Sequence, residues 1–294
     1  MSILQIGAEE VRERLLMPQC IDVMETAMRA VSAGHFDAPM RRVSPLDGGH
    51  FFLMPGAMTK GPVFGAKLVS LVPKNPQRGL PAVQGFVILF DHRTATPLCL
   101  VDGAAVTQLR TAATTAMSTR TLADPKASSQ GIFGAGALAM EHLKSIASVR
   151  DISLTRVWAR DREKARQFAA QAGRNTGLTV EAASPEEAAG CEIVTLVTNA
   201  SEPVLQGRWL NPGSHLNLVG AHDPAHREAD SDAVCRSCIL VDTLAGALAE
   251  SGDILIPLQE NRFPESAIRG EIGQVLAGDV PGRRDEREIT LFKS

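Results

Sequence analysis

The stretch Ser129-Gln-Gly-Ile-Phe-Gly-Ala-Gly-Ala-Leu-Ala139 decides the fold, because a short apolar run breaks there into alternating glycine and alanine. Residues 131–133 are typical of the end of a buried strand, and Gly134-x-Gly136-x-x-Ala139 is typical of a turn that leads into a helix. In a dinucleotide-binding turn, the first small residue allows a tight bend and the second lets the backbone approach a pyrophosphate. The third lets helix and strand pack closely, and the helix N-terminus faces the phosphates.

Further strands and helices alternate after this turn. Strands are expected at residues 152–158, 191–198, 215–220 and 239–242, and a helix is expected at residues 161–172. Strands that alternate with helices predict a parallel sheet covered on both faces, which is the doubly wound Rossmann form of the α/β class. The glycine turn then follows the first strand, where this fold binds a dinucleotide.

The end of the second strand bears on which dinucleotide is bound. An NAD site is expected to offer a carboxylate there for the ribose hydroxyls, whereas an arginine suits the 2′-phosphate of NADP. The strand is followed by Arg160 and then Asp161, so the sequence favours NADP(H) over NAD(H). The alternative is that Arg160 is a solvated loop residue and that Asp161 only caps the helix beginning at Arg162.

Composition excludes several classes of protein. The chain has 294 residues, 44% of them hydrophobic and 21% charged, with a net charge of -3, so two domains are expected and nucleic acid is not an expected partner. The chain shows neither an apolar run long enough to span a bilayer nor a signal-like start, so we expect a cytoplasmic protein. The five cysteines do not suggest a disulfide framework, and we expect no metal site, even at Cys235-x-x-Cys238.

The first third of the chain differs in character. A helical pattern runs from Ala8 to Gly34, and a helix is expected over residues 103–122. Between them, four β-rich runs separated by glycine and proline predict a largely antiparallel sheet, at residues 51–53, 64–72, 86–90 and 97–101.

Three cations in this first region could bind one carboxylate. Lys67 lies inside an apolar strand, and Arg110 lies within an alanine-rich helix. A buried charge is costly unless it meets an opposite charge or lines a cavity. Arg41 would supply the third positive charge. The alternative is that each is an ordinary side chain whose charged end reaches solvent.

Several motifs together resemble the ornithine cyclodeaminase/mu-crystallin family over nearly the whole chain. They are Pro39-Met40-Arg41, Met54-Pro55-Gly56, Gly65-Ala66-Lys67, Asn75-Pro76 with Gly79-Leu80-Pro81, Thr107-Gln108-Leu109-Arg110-Thr111-Ala112-Ala113, the Gly134 turn, Gly220-Ala221-His222-Asp223-Pro224 with Arg227-Glu228, and Ile289-Thr290-Leu291-Phe292-Lys293-Ser294.

The resemblance implies two domains, with a cofactor held against a cleft between them. Residues 1–112 with 280–294 would form an α+β domain for substrate binding and homodimerisation, and residues 113–279 a Rossmann domain for NAD(P). It implies that Arg41, Lys67 and Arg110 hold the substrate carboxylate and that Lys67 also carries a proton. The implied cofactor contacts are Thr111, Gly134, Ala135, Gly136, Ala137, Arg160 and Thr198.

One loop departs from the family pattern. Where ornithine cyclodeaminases and similar alanine dehydrogenases have a catalytic aspartate, this chain has His222, and Asp223 follows one residue later. Reduction of an imine releases no ammonia, so His222 could instead pass a proton to the imine nitrogen. Alternatively, His222 only lines the pocket. His222 and Asp223 are therefore both expected catalytic residues, with Lys67.

These features favour an NADPH-dependent oxidoreductase of cyclic ketimine acids. It would reduce Δ1-pyrroline-2-carboxylate or Δ1-piperideine-2-carboxylate to L-proline or L-pipecolate. One alternative is an ornithine cyclodeaminase that uses bound NAD to form proline and ammonia. Another is a non-catalytic, NADPH-dependent carrier of small ligands, of the mu-crystallin type.

Overall fold

The structure is a computed structural model that describes residues 3–294. The chain divides into two compact units, one up to Arg110 and the other from Thr111 onward. The boundary between the two units falls inside one long helix.

The first unit is built on a seven-stranded sheet. Its helices are α1 (Ala8–Arg14) and α2 (Met17–Ser32), and a short 3-10 helix spans Asn75–Arg78. Its strands are β1 (Leu4–Ile6), β2 (Phe36–Asp37), β3 (Arg42–Leu46), β4 (Gly49–Met58), β5 (Val63–Leu71), β6 (Val83–Asp91) and β7 (Pro97–Asp102).

The centre of this sheet is an antiparallel meander of β4, β5, β6 and β7, with β1 added parallel to β7. The four predicted β-rich runs are its central strands. Strands β4 and β6 are longer than predicted, whereas the ends of β5 and β7 lie within one residue of the predicted ends. The single helical pattern predicted after Ala8 is two helices in the structure. Pro18 lies in the first turn of α2, a position that suits proline because its missing N–H has no helical acceptor there.

Helix α3 (Gly103–Leu122) has the predicted bounds. The Asp102 carboxylate accepts a hydrogen bond from the amide of Ala105 at 2.7 Å and so caps the first turn. Along the helix, Ala112, Ala113 and Ala116 are fully buried. Alanine lets the helix approach its neighbours closely, which explains the alanine-rich sequence.

The second unit is an eight-stranded parallel sheet with helices between the strands. Its strands are β8 (Ser129–Phe133), β9 (Leu154–Trp158), β10 (Val180–Ala182), β11 (Ile193–Leu196), β12 (His215–Leu218), β13 (Ser237–Val241), β14 (Ile268–Glu271) and β15 (Ile289–Lys293). Its helices after α3 are α4 (Ala139–Ala147), α5 (Arg162–Thr176), α6 (Pro185–Ala189), α7 (Ser231–Cys235), α8 (Leu244–Glu250), α9 (Gly252–Gln259) and α10 (Ile272–Ala277), with 3-10 turns at Gly207–Trp209 and Glu265–Ala267.

The strand order of the second sheet is β10-β9-β8-β11-β12-β15-β13-β14. The chain moves outward from β8 through β9 to β10 and then crosses back to β11 on the other side of β8. This reversal is the topological switch point, where open α/β sheets bind ligands beyond the carboxyl ends of their strands. The predicted doubly wound Rossmann fold is confirmed.

The C-terminal segment differs from the sequence expectation. Residues 280–294 were expected to join the first domain, but β15 lies between β12 and β13 in the second sheet. All five residues of β15 are buried. The apolar run Ile289-Thr290-Leu291-Phe292 suits a central strand of a parallel sheet, which is covered on both faces.

Candidate active site

Lys67 lies near the middle of β5, opposite Met54 of β4 and Val87 of β6. Its Nζ donates to the Thr107 hydroxyl at 3.3 Å, and that hydroxyl donates to the Gly103 carbonyl at 2.7 Å. Burial lowers the pKa of Lys67 to about 7, and the positive charges of Arg110 and Arg41 contribute to the shift. An amine with this pKa can give or take a proton near neutral pH.

The same electrostatic effect places the three predicted cations together in the first unit. Arg110 and Arg41 both act on the Lys67 ammonium, and the Arg41 guanidinium lies 5.5 Å from the centre of the Phe52 ring. Three positive charges at one place repel each other, and a bound anion relieves that repulsion. The sequence did not indicate that Cys20 lies near this cluster. Cys20 is a buried thiol whose pKa is raised by burial, and the positive charge of Arg110 opposes part of that shift.

The glycine turn of the second unit has the shape that a dinucleotide site needs. Gly134 follows β8 with φ of +115°, and a Cβ there would lie 2.8 Å from the Val197 carbonyl oxygen. A Cβ on Gly131 would lie 1.9 Å from the Ala188 carbonyl oxygen. In contrast, a Cβ on Gly136 would meet no atom within 4 Å. The first glycines are required by packing, whereas the space at Gly136 is open to a ligand.

Residues expected at this site follow neighbouring strands of the second sheet. Gly134 follows β8, Arg160 follows β9, Thr198 follows β11 and His222 follows β12. Because these strands are parallel neighbours, their carboxyl ends lie along one edge. Gly134 and Thr198 flank the switch point. Thr111, on α3, is 6% exposed, and its hydroxyl has no hydrogen-bond partner within residues 3–294, so it can accept a polar contact.

Beyond β9, Arg160 is exposed. Asp161 uses one carboxylate oxygen to accept from the amides of Glu163 at 3.0 Å and Lys164 at 3.2 Å, which caps α5. The helix-capping interpretation of Asp161 therefore describes this residue, and α5 continues four residues beyond the predicted end.

Thr198 forms hydrogen bonds to Glu228, a buried residue that the sequence analysis named only as part of a motif. Its amide and its hydroxyl both donate to Oε1 of Glu228, each at 2.7 Å. Oε2 of Glu228 accepts from the amides of Gly220 at 2.6 Å and Ala221 at 3.2 Å. Glu228 has no exposed surface. A lone glutamate in a loop gives no local signal of such contacts, because the donors lie seven to thirty residues away.

The loop after β12 carries the two expected catalytic residues. His222 is exposed, and its Nδ1 lies 2.9 Å from the Gly220 carbonyl oxygen. An acceptor at that position favours the tautomer with the proton on Nδ1. The Asp223 carboxylate accepts from the amide of Ala225 at 2.9 Å and stabilises the turn of the loop.

The described residues offer no arrangement for a metal and no helix for a membrane. Within residues 3–294, no group of three or more His, Cys, Asp or Glu residues could hold a metal ion. No helix in that range is long and apolar enough to cross a bilayer. All five cysteines are free thiols, with Cys235 exposed and Cys238 buried.

Known proteins are similar to this chain over almost its whole length. A Δ1-pyrroline-2-carboxylate reductase of Bacillus cereus is 32% identical over 297 residues, covering 99% of this chain and 91% of the relative. Ketimine reductase mu-crystallin of Mus musculus is 32% identical over 295 residues, covering 98% of this chain and 91% of the relative.

A solved structure is similar over almost the whole chain. The Δ1-pyrroline-2-carboxylate reductase of Thermococcus litoralis, in complex with NADH and L-proline, superposes with a TM-score of 0.96 at 33% identity. The match covers 99% of this chain and 92% of that one. Residues 4–294 match the ornithine cyclodeaminase/mu-crystallin family as a whole, and this chain belongs to that family.

Proposed function

We propose that this chain is an NAD(P)H-dependent reductase of cyclic ketimine acids. It reduces Δ1-pyrroline-2-carboxylate to L-proline, Δ1-piperideine-2-carboxylate to L-pipecolate, or both. The observation that carries the proposal is the cluster of Arg41, Lys67 and Arg110 in a chain that also has a Rossmann turn. The activity named for the Bacillus cereus relative and the ligands of the Thermococcus litoralis structure support the same substrate class.

The cationic cluster supplies the binding energy for the substrate carboxylate. A unit charge pair at 4 Å gains about 4 kcal/mol at the effective dielectric near a protein surface, before desolvation is subtracted. A guanidinium offers several N–H donors to a carboxylate, so Arg41 and Arg110 can hold the substrate carboxylate beside Lys67. A carboxylate held by several groups fixes the orientation of the attached imine carbon, which lowers the barrier to reaction at that carbon.

Lys67 is the proposed proton donor. Reduction of a C=N bond adds a hydride to carbon and a proton to nitrogen. Near neutral pH, Lys67 exchanges between ammonium and amine, and a bound carboxylate favours the ammonium. The Lys67 ammonium can then donate a proton to the imine nitrogen directly or through a water. His222 is the second proposed proton carrier, and Asp223 supports its loop.

The second unit fits a nicotinamide dinucleotide, which supplies the hydride when bound. The open space at Gly136 suits a pyrophosphate, with the exposed turn of Gly136 and Ala137 in front of α4. Gly134 and Ala135 belong to the same turn, and Thr111 and Thr198 contribute hydroxyl groups. These six residues and Arg160 are the proposed cofactor contacts.

We propose a preference for NADP(H) over NAD(H). Arg160 is exposed at the end of β9, and Asp161 is engaged in capping α5. A guanidinium binds a 2′-phosphate well, because planar N–H groups match phosphate oxygens. The Thermococcus litoralis relative was solved with NADH, so the two cofactors must be compared directly.

We also propose that the protein acts as a homodimer in the cytoplasm. Of the ten large hydrophobic side chains that are exposed among the described residues, nine lie in the first unit. A unit that exposes this many large apolar side chains offers apolar surface that a second copy could cover. Light scattering after size-exclusion chromatography should give twice the chain mass. A monomeric mass at micromolar concentration would contradict the proposed homodimer.

The test of the activity follows absorbance at 340 nm. Purified protein receives NADPH or NADH with each of the two imine acids, and in a separate reaction L-ornithine with NAD. Rapid oxidation of the reduced cofactor by an imine acid supports the proposal. Proline and ammonia from ornithine would instead identify a cyclodeaminase, and ligand binding without hydride transfer would identify a carrier.

A further inference from the structure

We propose that Glu228 is a positioning residue for cofactor binding. Through one buried carboxylate, it fixes the loop that carries Thr198 against the loop that carries His222. This inference rests on the proposed role of the Thr198 loop in holding the cofactor, but not on the proposed substrate.

The contacts of Glu228 are divided between two loops. One oxygen accepts both donors of Thr198, just after β11, and the other accepts the amides of Gly220 and Ala221, just after β12. Strands β11 and β12 are neighbours. Four donors to one carboxylate, at 2.6 to 3.2 Å, fix the spacing of the two loops.

The two loops also approach each other directly. A Cβ on Gly220 would lie 2.1 Å from the Thr198 carbonyl oxygen and 2.6 Å from Glu228 Oε1. Only glycine allows this approach, so the carboxylate lies in a close-packed junction. A small change at Glu228 should therefore move both loops.

Glu228 is itself held from behind. Its amide and that of Ala229 donate to Oδ1 of Asp253, at 2.8 and 3.1 Å, and Asp253 has no exposed surface. Oδ2 of Asp253 has no hydrogen-bond partner among residues 3–294. Lys293 of β15 is 2% exposed and donates to the Leu218 carbonyl at the end of β12 at 3.2 Å. Two carboxyl groups and one ammonium are thus buried beside the junction.

This cluster should make the junction sensitive to pH. Burial and the Asp253 carboxylate raise the pKa of Glu228 to about 7, while the hydrogen bonds from Thr198 and the charge of Lys293 act in the opposite direction. Burial also raises the pKa of Asp253, against the charges of Lys293 and Arg227. Once protonated, Glu228 has a donor that faces other donors, so one contact to the loops is lost. Cofactor affinity should therefore fall as the pH decreases through about 7.

The test measures NADH binding by fluorescence enhancement from pH 5.5 to 8.5, without substrate. NADH is the probe because the 2′-phosphate of NADPH titrates in the same range. The variants are Glu228→Gln, which keeps the size but not the four acceptor contacts, and Asp253→Asn, which keeps the polar contacts behind Glu228 but removes the neighbouring charge. Thermal unfolding of each variant without cofactor serves as the control for folding.

For Glu228→Gln, we expect Kd to rise about tenfold at pH 8, and its pH dependence to flatten. For Asp253→Asn, we expect wild-type affinity at pH 8 and a midpoint shifted to lower pH. A lower melting temperature with wild-type Kd and pH dependence in Glu228→Gln would overturn the inference. If Glu228→Gln does not fold, an unshifted midpoint in the pH dependence of NADH binding by Asp253→Asn would also overturn the inference. Failure of imine reduction would leave these binding results unaffected.

Discussion

Lys67 donates to the hydroxyl of Thr107 at 3.3 Å, and that hydroxyl is anchored by its own bond to the Gly103 carbonyl. The strand-borne amine is thus fixed by the first turn of α3. At 3.3 Å this contact is long. A substrate carboxylate can replace the neutral hydroxyl as the acceptor of the Lys67 ammonium, because charge-assisted hydrogen bonds are about twice as strong as neutral ones.

The pH dependence of turnover should follow Lys67. Its pKa is lowered to about 7, so in the free enzyme the ammonium is lost as the pH rises through that value, and kcat/KM should fall on the alkaline side. Lys67→Met should lose about a hundredfold or more in kcat, since a general acid contributes roughly a hundredfold to ten-thousandfold. Lys67→Arg stays protonated, so its residual activity should lack this alkaline decrease. The exposed Lys60→Met is the control, and an unchanged alkaline limb in Lys67→Arg would exclude Lys67 as the titrating group.

Loss of Arg110 should weaken substrate binding selectively. Arg110→Ala removes one cation from the cluster and should raise KM for the imine acid about tenfold to a hundredfold, the worth of one charge-assisted contact. The Kd for NADPH should not change. Arg14→Ala, at an arginine that is 76% exposed, is the matched control. A fall in NADPH affinity with preserved turnover would assign Arg110 to the cofactor instead.

Arg160 should set the choice of cofactor. Arg160→Ala should raise the Kd for NADPH by about tenfold or more and leave that for NADH nearly unchanged, because only NADPH carries the 2′-phosphate. The control is Arg166→Ala, since Arg166 is 66% exposed on α5 and pairs with Glu163. Equal effects on the two cofactors would show that Arg160 does not read the phosphate.

Gly131 in β8 and Gly136 in the following turn should respond to alanine in opposite ways. Gly131→Ala would place a methyl group 1.9 Å from the Ala188 carbonyl oxygen, so the melting temperature should fall sharply. Gly136→Ala meets no atom within 4 Å, so the melting temperature without cofactor should be unchanged, while the methyl group would occupy the space proposed for the pyrophosphate. Cofactor binding should then be lost from a stable protein. Normal affinity in Gly136→Ala would exclude close approach of the cofactor at that residue.

Local patterns were sufficient for much of the fold. Helix α3 has its predicted bounds because Asp102 and Gly103 mark its start and an alanine-rich sequence sustains it. The strands of the second sheet are short apolar runs between turn residues, and this local pattern is enough to predict a buried strand. Lys67 and Arg110 were indicated because charges are unusual in apolar elements, and Arg41 was added as a third positive charge. In the structure the charges of both arginines act on Lys67.

Long-range pairing was not predictable in the same way. The apolar run at residues 289–293 predicts a buried strand, but nothing within it indicates which of the two sheets the strand joins. Glu228 was missed as a functional residue for a related reason, since its partners Thr198 and Gly220 come from separate loops. Their convergence depends on the order of strands in the finished sheet.

The position of β15 has a consequence for how the protein is made. It pairs with β12 on one side and β13 on the other, although β13 was synthesised about fifty residues earlier. During translation, β12 and β13 therefore lack β15, the strand that lies between them, until residue 293 has left the ribosome. Cotranslational folding of this unit can proceed from β8 to β12, but β12 and β13 are joined in one sheet only after β15 has been made. The unpaired edges of both strands are open to mispairing until then.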